Sequence, residues 1–498
     1  MKALSGGTLC AAGGAILAAF LAATIWTTQT KAPWCDEGWF ASPAYNLAFH
    51  GFMGTTVLDP GSGTPVLNTR TRLDGIDRFT YWVMPLDLIA QAAWYRVIGF
   101  GLGQMRALSL TWGLLALVCW WAVFRELSED PYAPLVALAL VAMDNHFITA
   151  STEGRMDMMC SALGVAGLAV YLLARHRSVG WALVGGNVLI AGSCLTHPNG
   201  VLYMLTLLCL VAMFDLRSGL RWFHIPLAGV PYIVAVGAWL TYVARAPEYF
   251  KIQLMGNAGG RASALTAPAR ALKLEVARYL SGFGFAPWNA GAAHAAVVEL
   301  LVFVAGIAMC VGYAPLRKQL APRRVVPIIA VLCGFLFAFE GAKMVSYLIH
   351  VVPCFALAVG IAATALWRSR RLIVMVLLSL VLLVDVARVG VLALKDKYHR
   401  EFMPAARFVQ SAAAPGDLVM GSAELAFVLG FERPLLDDIM LGTTTGKSAR
   451  YLVVDSRYRD YYSSIERTAP QEYQMVEQRL SQYEKIYDAA NYQVYRRL

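Results

Sequence analysis

Residues 34–40 read Trp34-Cys35-Asp36-Glu37-Gly38-Trp39-Phe40, and they follow a long apolar run, residues 8–27, almost at once. A run of this length can cross a bilayer as a helix. Two adjacent carboxylates at the mouth of such a helix are costly unless they face water or a partner. A solvated loop would tolerate both of them, whereas an active site at the membrane surface would use one of them.

The whole chain has the composition of a membrane protein. Of its 498 residues, 58% are hydrophobic and only 15% are charged. The sequence predicts an α-helical polytopic membrane protein with about eleven transmembrane helices, because that many apolar runs have spanning length. These runs lie near residues 8–27, 103–124, 132–150, 156–174, 179–196, 199–215, 224–244, 294–314, 325–341, 344–366 and 371–393.

The segment 79–100 decides the orientation of these helices. It is apolar but carries Asp87, Gln91 and Arg96, so it can cross the membrane or lie in the interface as an amphipathic helix. Positive charge favours the cytoplasmic side of a membrane protein. With 79–100 in the interface and the N-terminus inside, every basic cluster between spans falls inside, whereas all of them fall outside if 79–100 crosses. These clusters are Arg125; Arg175 and Arg177; Arg217 and Arg221; Arg317, Lys318, Arg323 and Arg324; and Arg368, Arg370 and Arg371.

The loops predicted to lie outside are polar in a different way. They combine acids, bases, histidines and aromatic residues, in the outer loops 28–102 and 246–293 and at the junctions 151–157, 196–200 and 340–350. This asymmetry favours one polar, partly membrane-embedded site on the outer face. Because the basic residues set topology, the net charge of +10 does not indicate nucleic-acid binding. The nine cysteines show no CxxC pair, so no disulfide framework and no cysteine metal site is predicted.

The chain changes character at its C-terminus. Residues 1–394 form the predicted transmembrane domain, and residues 395–498 have the patterning of a small soluble α/β domain. An odd number of spans puts this domain outside as well. It has no phosphate-loop pattern, so we predict no catalytic role for it.

Asp36 and Glu37 are the first candidate catalytic residues. On a helix, adjacent residues point about 100° apart, so only one of them can face a given site. A carboxylate in a partly dehydrated pocket can act as a general base on an acceptor hydroxyl.

Further candidates stand at the other outer junctions. Asp77 and Arg78 precede Tyr81, and an arginine there could bind a lipid phosphate, although the aromatic residues alone would suit an interfacial belt. Arg155 and Asp157 open the fourth span, where they could also simply pair with each other.

Two polar groups complete the set. His197 and Asn199 form a polar break between two spans, where a structural hydrogen bond is the alternative. Lys343, Tyr347 and His350 have the spacing of one helix face on the tenth span. A snorkelling lysine would explain that stripe, and so would binding of an anionic head group.

Neither nucleotide-binding motif, GxGxxG opening a helix or GxxxxGK[ST], occurs in the chain. An enzyme acting on the outer face of a membrane has no cytoplasmic nucleotide sugar available. A lipid-linked donor meets that constraint.

Taken in order, these motifs resemble those of the GT-C glycosyltransferases, in particular the bacterial relatives of protein O-mannosyltransferases and of the aminoarabinose transferase that modifies lipid A. The resemblance covers most of the chain and includes a small outer domain at the C-terminus. The first outer loop differs in carrying Gly38 and Trp39 where some relatives have an arginine, and His197 stands where a lysine or arginine is usual. The matching segments are 36–40, 77–82, 154–157, 196–200 and Lys343 with Tyr347 and Pro353.

The resemblance implies a transferase that takes a sugar from a polyprenyl phosphate at the periplasmic or extracellular face of the bacterial inner membrane. By this resemblance Asp36, with Glu37 beside it, would be the base. The donor phosphate would be bound by Arg78, Lys343 and Arg155. The sugar and acceptor would be bound by Asp77, Tyr81, Asp157, His197, Asn199, Tyr347 and His350.

The resemblance names no certain cofactor. Some family members use a divalent metal and others do not, and Asp36 with Asp77 could supply hard oxygen ligands. The acceptor could be a lipid, a glycan or a protein.

Two other functions remain open at the level of sequence. A lipid or sugar-lipid flippase would carry polar residues near the bilayer midplane and internal repeats, and neither is evident. A surface-polysaccharide polymerase or ligase would share the outer site but use diphosphate-linked donors.

Overall fold

A computed structural model of the chain describes residues 6–60, 65–66, 69–70, 72–217, 219–258, 267–284 and 291–498. Within these residues, eight helices are long and apolar enough to cross a membrane. The helices of this part, in chain order, are α1 (Gly6–Thr30), α2 (Cys35–Phe49), α3 (Pro85–Ile98), α4 (Leu102–Leu127), α5 (Ala133–Met143), α6 (Asn145–Ser151), α7 (Met156–Ala174), α8 (Val179–Thr196), α9 (Gly200–Phe214), α10 (His224–Val243), α11 (Pro247–Ala258), α12 (Pro268–Gly282), α13 (Val297–Gly312), α14 (Ala314–Arg317), α15 (Leu320–Phe339) and α16 (Val352–Lys395).

The remaining predicted spans are irregular helices. Helices α5 and α6 are bent by 59° at Asp144, and counted as one span they bring the number of spans in the described residues to nine. Helix α9 is a short apolar helix of 15 residues. Helix α16 is broken at Arg370, which has non-helical backbone angles. The 3-10 helix before α16 packs on α6, and the π-helix after it packs on α1. Both ends of α16 therefore lie at the same end of the bundle, and the helix contains two of the predicted runs.

The segment predicted as the first outer loop contains two helices. Within it, α2 and α3 pack against each other. Helix α3 has 14 residues and is about 21 Å long at 1.5 Å per residue, and unlike the similarly short but uncharged α9 it carries Asp87 and Arg96. Its short length and its charges together are compatible with the interfacial placement. In the same loop, β1 (Pro65–Val66) and β2 (Thr69–Arg70) form a two-residue antiparallel ladder.

The C-terminal region forms a small α/β layer. Its five-stranded sheet has the order β4-β3-β5-β7-β6, with β3 parallel to both of its neighbours and the other pairs antiparallel. The strands Tyr483–Ala489 and Tyr492–Arg497 form a terminal antiparallel hairpin. The elements are α17 (Met403–Ala412), β3 (Val419–Met420), α18 (Ala426–Leu429), β4 (Leu435–Leu436), β5 (Tyr451–Val454), α19 (Ser456–Thr468), α20 (Pro470–Leu480), β6 (Tyr483–Ala489) and β7 (Tyr492–Arg497).

This region shares a hydrophobic core with α2 and α3. Phe40 and Leu88 belong to the same buried cluster as Phe402, Leu425 and Val453. Burial of apolar surface between the two parts fixes the C-terminal region on top of α2. The segment that carries Asp36 therefore lies between the bundle and the C-terminal sheet.

A cluster of buried ionisable residues lies inside the bundle. Asp144 at the bend, Glu299 on α13 and Asp385 on α16 are fully buried, and His146 contacts Asp144 at 3.1 Å. Arg388 lies 3.5 Å from Glu299 and 3.7 Å from Asp385. Ionisable residues at such depth normally pair with one another, as these do.

Candidate active site

The start of α2 is held by Glu37. The backbone N–H of Trp34 donates to Glu37 Oε2 at 3.0 Å, which caps the helix, and acidic residues are favoured in the first turn by the helix dipole. Glu37 is fully buried, and both of its oxygens accept hydrogen bonds from Arg106 at 2.8 Å. Burial alone would raise the pKa of Glu37, but the ion pair with Arg106 outweighs it and the pKa is lowered.

Arg106 and Glu37 together join two further segments. Its guanidinium donates to the carbonyl oxygens of Thr28 at 2.9 Å and Lys31 at 2.8 Å, which end α1. The backbone N–H of Gly154 donates to Glu37 Oε1 at 3.2 Å, which joins the turn before α7. Glu37, predicted with Asp36 as catalytic, therefore has its oxygens on protein donors and holds α1, α2, α4 and this turn together.

Asp36 points to a different partner. Its carboxylate, with 13% of the side chain exposed, contacts the guanidinium of Arg155, whose Nε donates to Asp157 at 2.8 Å. The guanidinium also lies 5.4 Å from the ring centroid of Trp34. Burial raises the pKa of Asp36, and Arg155 opposes that rise. Lys31 forms an ion pair with Glu153 beside this group, so Asp36 has both positive and negative side chains around it.

The predicted polar residues of three other junctions extend this group. The hydroxyl of Tyr347 is 3.3 Å from His197 Nε2, and His197 Nδ1 accepts from the backbone N–H of Asn199 at 3.1 Å. His350 Nδ1 is 2.9 Å from the hydroxyl of Tyr203. Asp157 lies within electrostatic range of both histidines. Arg155, Asp157, His197, Asn199, Tyr347 and His350 thus form one cluster next to Asp36.

Several buried atoms of this cluster have no hydrogen-bond partner among the residues that the structure describes. They are Asp157 Oδ1, Asn199 Nδ2 and His350 Nε2. Buried polar atoms are nearly always paired with protein or water, so unpaired ones require an explanation. An acceptor, a donor and an imidazole nitrogen suit a ligand with hydroxyl groups.

Asp77, Arg78 and Tyr81 do not belong to this cluster of contacts. Asp77 and Arg78 are exposed on a turn, whereas Tyr81 is buried and donates through its hydroxyl to the carbonyl oxygen of Tyr242 at 2.9 Å. Arg78 and Arg245 line a cavity of about 360 Å³ whose other walls are mostly apolar. The apolar walls include Leu47, Phe52, Met53, Leu86, Ile89 and Trp239.

Lys343 belongs to another cluster. It lies in the turn after α15 with a positive φ of 52°, not on a helix face with Tyr347 and His350, which lie in a 3-10 helix. The expected stripe on the tenth span is therefore wrong. The ammonium group donates to the carbonyl oxygens of Leu336 at 2.8 Å and Phe337 at 2.7 Å and pairs with Glu275 at 2.9 Å. These protein groups occupy the donors that a phosphate would need.

Sequence reasoning missed Arg106, Arg245 and the contact of α2 with the C-terminal region. Arg106 is a lone charge near the start of an apolar run, and this is a signal that could have found it. The C-terminal contact joins Trp39 to Asp437 across 398 positions of sequence, so no local pattern encodes it.

The described residues offer no ready metal centre. Among the ranges that the structure describes, no group of three or more His, Cys, Asp or Glu side chains is placed to hold a metal ion. Asp36 and Asp77, the pair considered for a hard-oxygen site, differ in surroundings, since Asp36 contacts Arg155 and Asp77 is exposed.

No family model and no curated protein sequence matches the chain. Solved structures match it over nearly its whole length. ArnT from Cupriavidus metallidurans, solved bound to undecaprenyl phosphate, is 14% identical with a TM-score of 0.57, and the match covers 99% of this chain and 98% of that one. The archaeal oligosaccharyltransferase AglB from Archaeoglobus fulgidus, solved with an inhibitory peptide and a dolichol-phosphate, is 14% identical with a TM-score of 0.53, and the match covers 97% and 74%.

The Archaeoglobus fulgidus oligosaccharyltransferase was also solved in complex with Zn and sulfate, with 14% identity, a TM-score of 0.53 and coverage of 94% and 71%. A divalent metal is thus compatible with this fold. ArnT and AglB are GT-C enzymes. The predicted fold class is confirmed: this chain has the fold of the GT-C membrane glycosyltransferases.

Proposed function

We propose that this protein is a membrane glycosyltransferase that moves a sugar from a polyprenyl-phosphate donor to an acceptor nucleophile. The observation that carries the proposal is the cluster of buried, unpartnered polar atoms on Asp157, Asn199 and His350 next to Asp36. Hydroxyl groups of a sugar would satisfy an acceptor and donors arranged in this way. The GT-C fold supports the same reaction class.

The cavity beside Arg78 and Arg245 is our candidate for the lipid donor. Its apolar walls suit an isoprenoid chain, and two exposed guanidinium groups suit the phosphate that ends it. That ArnT was solved with undecaprenyl phosphate and AglB with a dolichol-phosphate supports this class of ligand. Lys343 is left out of this proposal because its ammonium group is bound by Glu275 and two carbonyl oxygens.

In the proposed mechanism Asp36 is the general base. It accepts the proton of the acceptor nucleophile, which attacks the anomeric carbon from the face opposite the phosphate. The bond from that carbon to the phosphate oxygen breaks, and its electron pair leaves with the polyprenyl phosphate. One displacement inverts the anomeric configuration. A raised pKa makes the Asp36 carboxylate a stronger base, and positive charge at the phosphate stabilises the leaving group.

We place the site on the periplasmic or extracellular side of a bacterial inner membrane. The opposite end of the bundle carries Arg125 at the end of α4, Arg175 at the end of α7 and Arg324 at the start of α15. Short basic loops are typical of the cytoplasmic side. A lipid-linked donor suits a compartment without nucleotide sugars.

The test is transfer of radiolabelled sugar from the lipid-linked pool of native membranes. We expect wild type to form labelled product and the Asp36→Asn variant, at equal expression, to form none. Asp396→Asn is the matched control, because Asp396 is a helix-end residue paired only with His399 and its left-handed backbone suits asparagine. Equal labelling by wild type and Asp36→Asn would contradict the proposed base.

The donor site has its own test. Charge removal in Arg78→Gln and Arg245→Gln should raise the donor concentration needed for half-maximal transfer, with a smaller effect on the maximal rate. An unchanged donor dependence in the double variant would contradict the placement of the phosphate.

A further inference from the structure

The start of α2 meets the C-terminal region at very short range. A Cβ atom added to Gly38 would lie 2.5 Å from the backbone carbonyl carbon of Ala423, so only glycine allows this approach. Gly38 follows Asp36 and Glu37 directly. The backbone that carries the candidate base is therefore pressed against the C-terminal region.

A polar network fixes this contact. The indole N–H of Trp39 donates to Asp437 Oδ2 at 2.9 Å, and so does the backbone N–H of Ala423 at 3.1 Å. Arg457 donates to Asp437 Oδ1 at 2.6 Å, and its guanidinium lies 5.6 Å from the ring centroid of Trp39. Asp437 itself is fully buried. Arg457 is thus held between the C-terminal sheet and the first turn of α2.

Arg457 adds a second positive charge to the surroundings of Asp36. From the bundle, Asp36 faces Arg155, Glu153 and Asp157, and from the C-terminal region it faces Arg457. Each cation is shared with another carboxylate, Arg155 with Asp157 and Arg457 with Asp437, so each neutralises Asp36 only in part. Burial raises the pKa of Asp36, and Arg457 opposes that rise together with Arg155.

We propose that Arg457 is a positioning residue for Asp36, which fixes the start of α2 on the C-terminal region and keeps the Asp36 carboxylate ionised by its charge. The inference rests on the proposed role of Asp36 as base. It gives the C-terminal region a part in the reaction, although no such part was expected from its sequence. The nucleophile can lose its proton to Asp36 only while that carboxylate is ionised.

The first experiment is the pH dependence of sugar transfer in Arg457→Gln and Arg457→Lys. Loss of the charge should move the acid limb of the profile to higher pH, whereas lysine should keep it near the wild-type position. Arg496→Gln is the matched control, because Arg496 pairs with the exposed Glu484 in the same sheet. An equal loss at every pH, with the acid limb unmoved, would show that Arg457 is only structural and would overturn the inference.

A second experiment does not depend on activity. The difference in unfolding temperature between wild type and Asp36→Asn, followed against pH, reports the ionisation of Asp36 in the folded protein. In the Arg457→Gln background this titration should move to higher pH by the same amount, and an unmoved titration would overturn the inference. Absence of transfer by wild type at every pH would instead count against the proposed function, and the stability titration would still decide whether Arg457 acts on Asp36.

Discussion

Adjacent carboxylates at the start of α2 should respond in opposite ways to the same chemical change. Glu37→Gln replaces a fully buried carboxylate that accepts two hydrogen bonds of 2.8 Å from Arg106. The amide keeps the shape but turns an N–H group toward the guanidinium and leaves Arg106 without a counter-charge. Breaking a buried ion pair by removing one partner costs about 3–5 kcal/mol.

Asp36→Asn is the matched comparison on the neighbouring residue. Its partner Arg155 keeps Asp157 as a second counter-charge, and the Asp36 side chain is 13% exposed. We expect this variant to change stability by less than about 1 kcal/mol, since Arg155 keeps Asp157 as its counter-charge and loss of a carboxylate that burial disfavours offsets the lost pair. It should nevertheless abolish sugar transfer.

The assay combines thermal unfolding of purified protein in detergent with transfer activity at a temperature where both variants are folded. Glu37→Gln should unfold several degrees below wild type and retain activity in proportion to the folded fraction. The pKa of Glu37 is lowered in the folded protein, so its ionised form stabilises the fold above the ordinary carboxyl pKa. In wild type this contribution disappears as the pH falls through the folded-state pKa, and the Glu37→Gln variant should lack that dependence.

The reverse pattern would refute this reasoning. If Glu37→Gln kept the wild-type unfolding temperature and lost all transfer, Glu37 would be the reacting carboxylate. Asp36 would then be the structural residue, and the order of roles along α2 would be exchanged.

Three further predictions concern other parts of the molecule. Gly38→Ala should weaken docking of the C-terminal region, because overpacking lowers the free energy of unfolding by about 1–3 kcal/mol, and it should therefore lower the unfolding temperature. Gly390→Ala is the control, since a Cβ atom there meets open space. Equal unfolding temperatures of the two variants would contradict the close approach at Gly38. Burial raises the pKa of Asp87 to about 7, so the folded state favours the neutral acid. As the pH rises from about 4 to 7, the free energy of unfolding of wild type should fall by up to ~1.4 kcal/mol per pH unit. Asp87→Asn should remove that loss, and parallel stability curves from pH 5 to 8 would contradict it. Arg388→Met should lower the free energy of unfolding by about 3–5 kcal/mol, because it leaves the buried carboxyl group of Glu299 without its cation. We expect a lower yield and a lower unfolding temperature, and wild-type values of both would contradict this prediction.

Much of the fold could be predicted from the sequence because the bilayer imposes a simple rule. A span needs about 20 apolar residues, and hydropathy is a property of each residue in its own stretch. The fold class and the helical bundle were confirmed for this reason, whereas the interfacial placement of the α3 segment, inferred from the distribution of basic residues, stays a prediction. The bend at Asp144 and the turn at Arg370 were not predicted, since packing against other helices decides where a span breaks.

The candidate site could be predicted in part. The motif positions Asp36, Arg155 and Asp157 come together as one ion-paired group, and that assembly is what their order along the chain suggested. Their catalytic roles remain predictions. The expected stripe that begins with Lys343 does not form, because that residue lies in the connection after α15 and pairs with Glu275 of α12.

What the sequence by itself determined is which stretches form the long apolar helices of the bundle. Only the tertiary structure decided which charge each carboxylate meets. Glu37 and Asp36 are neighbours, yet they pair with Arg106 and Arg155, which are 69 and 119 positions away from them. Trp39 meets Asp437 from the other end of the chain. Hydropathy acts locally, whereas the energy of an ion pair depends on the partner that folding brings near, and no local pattern carries that information.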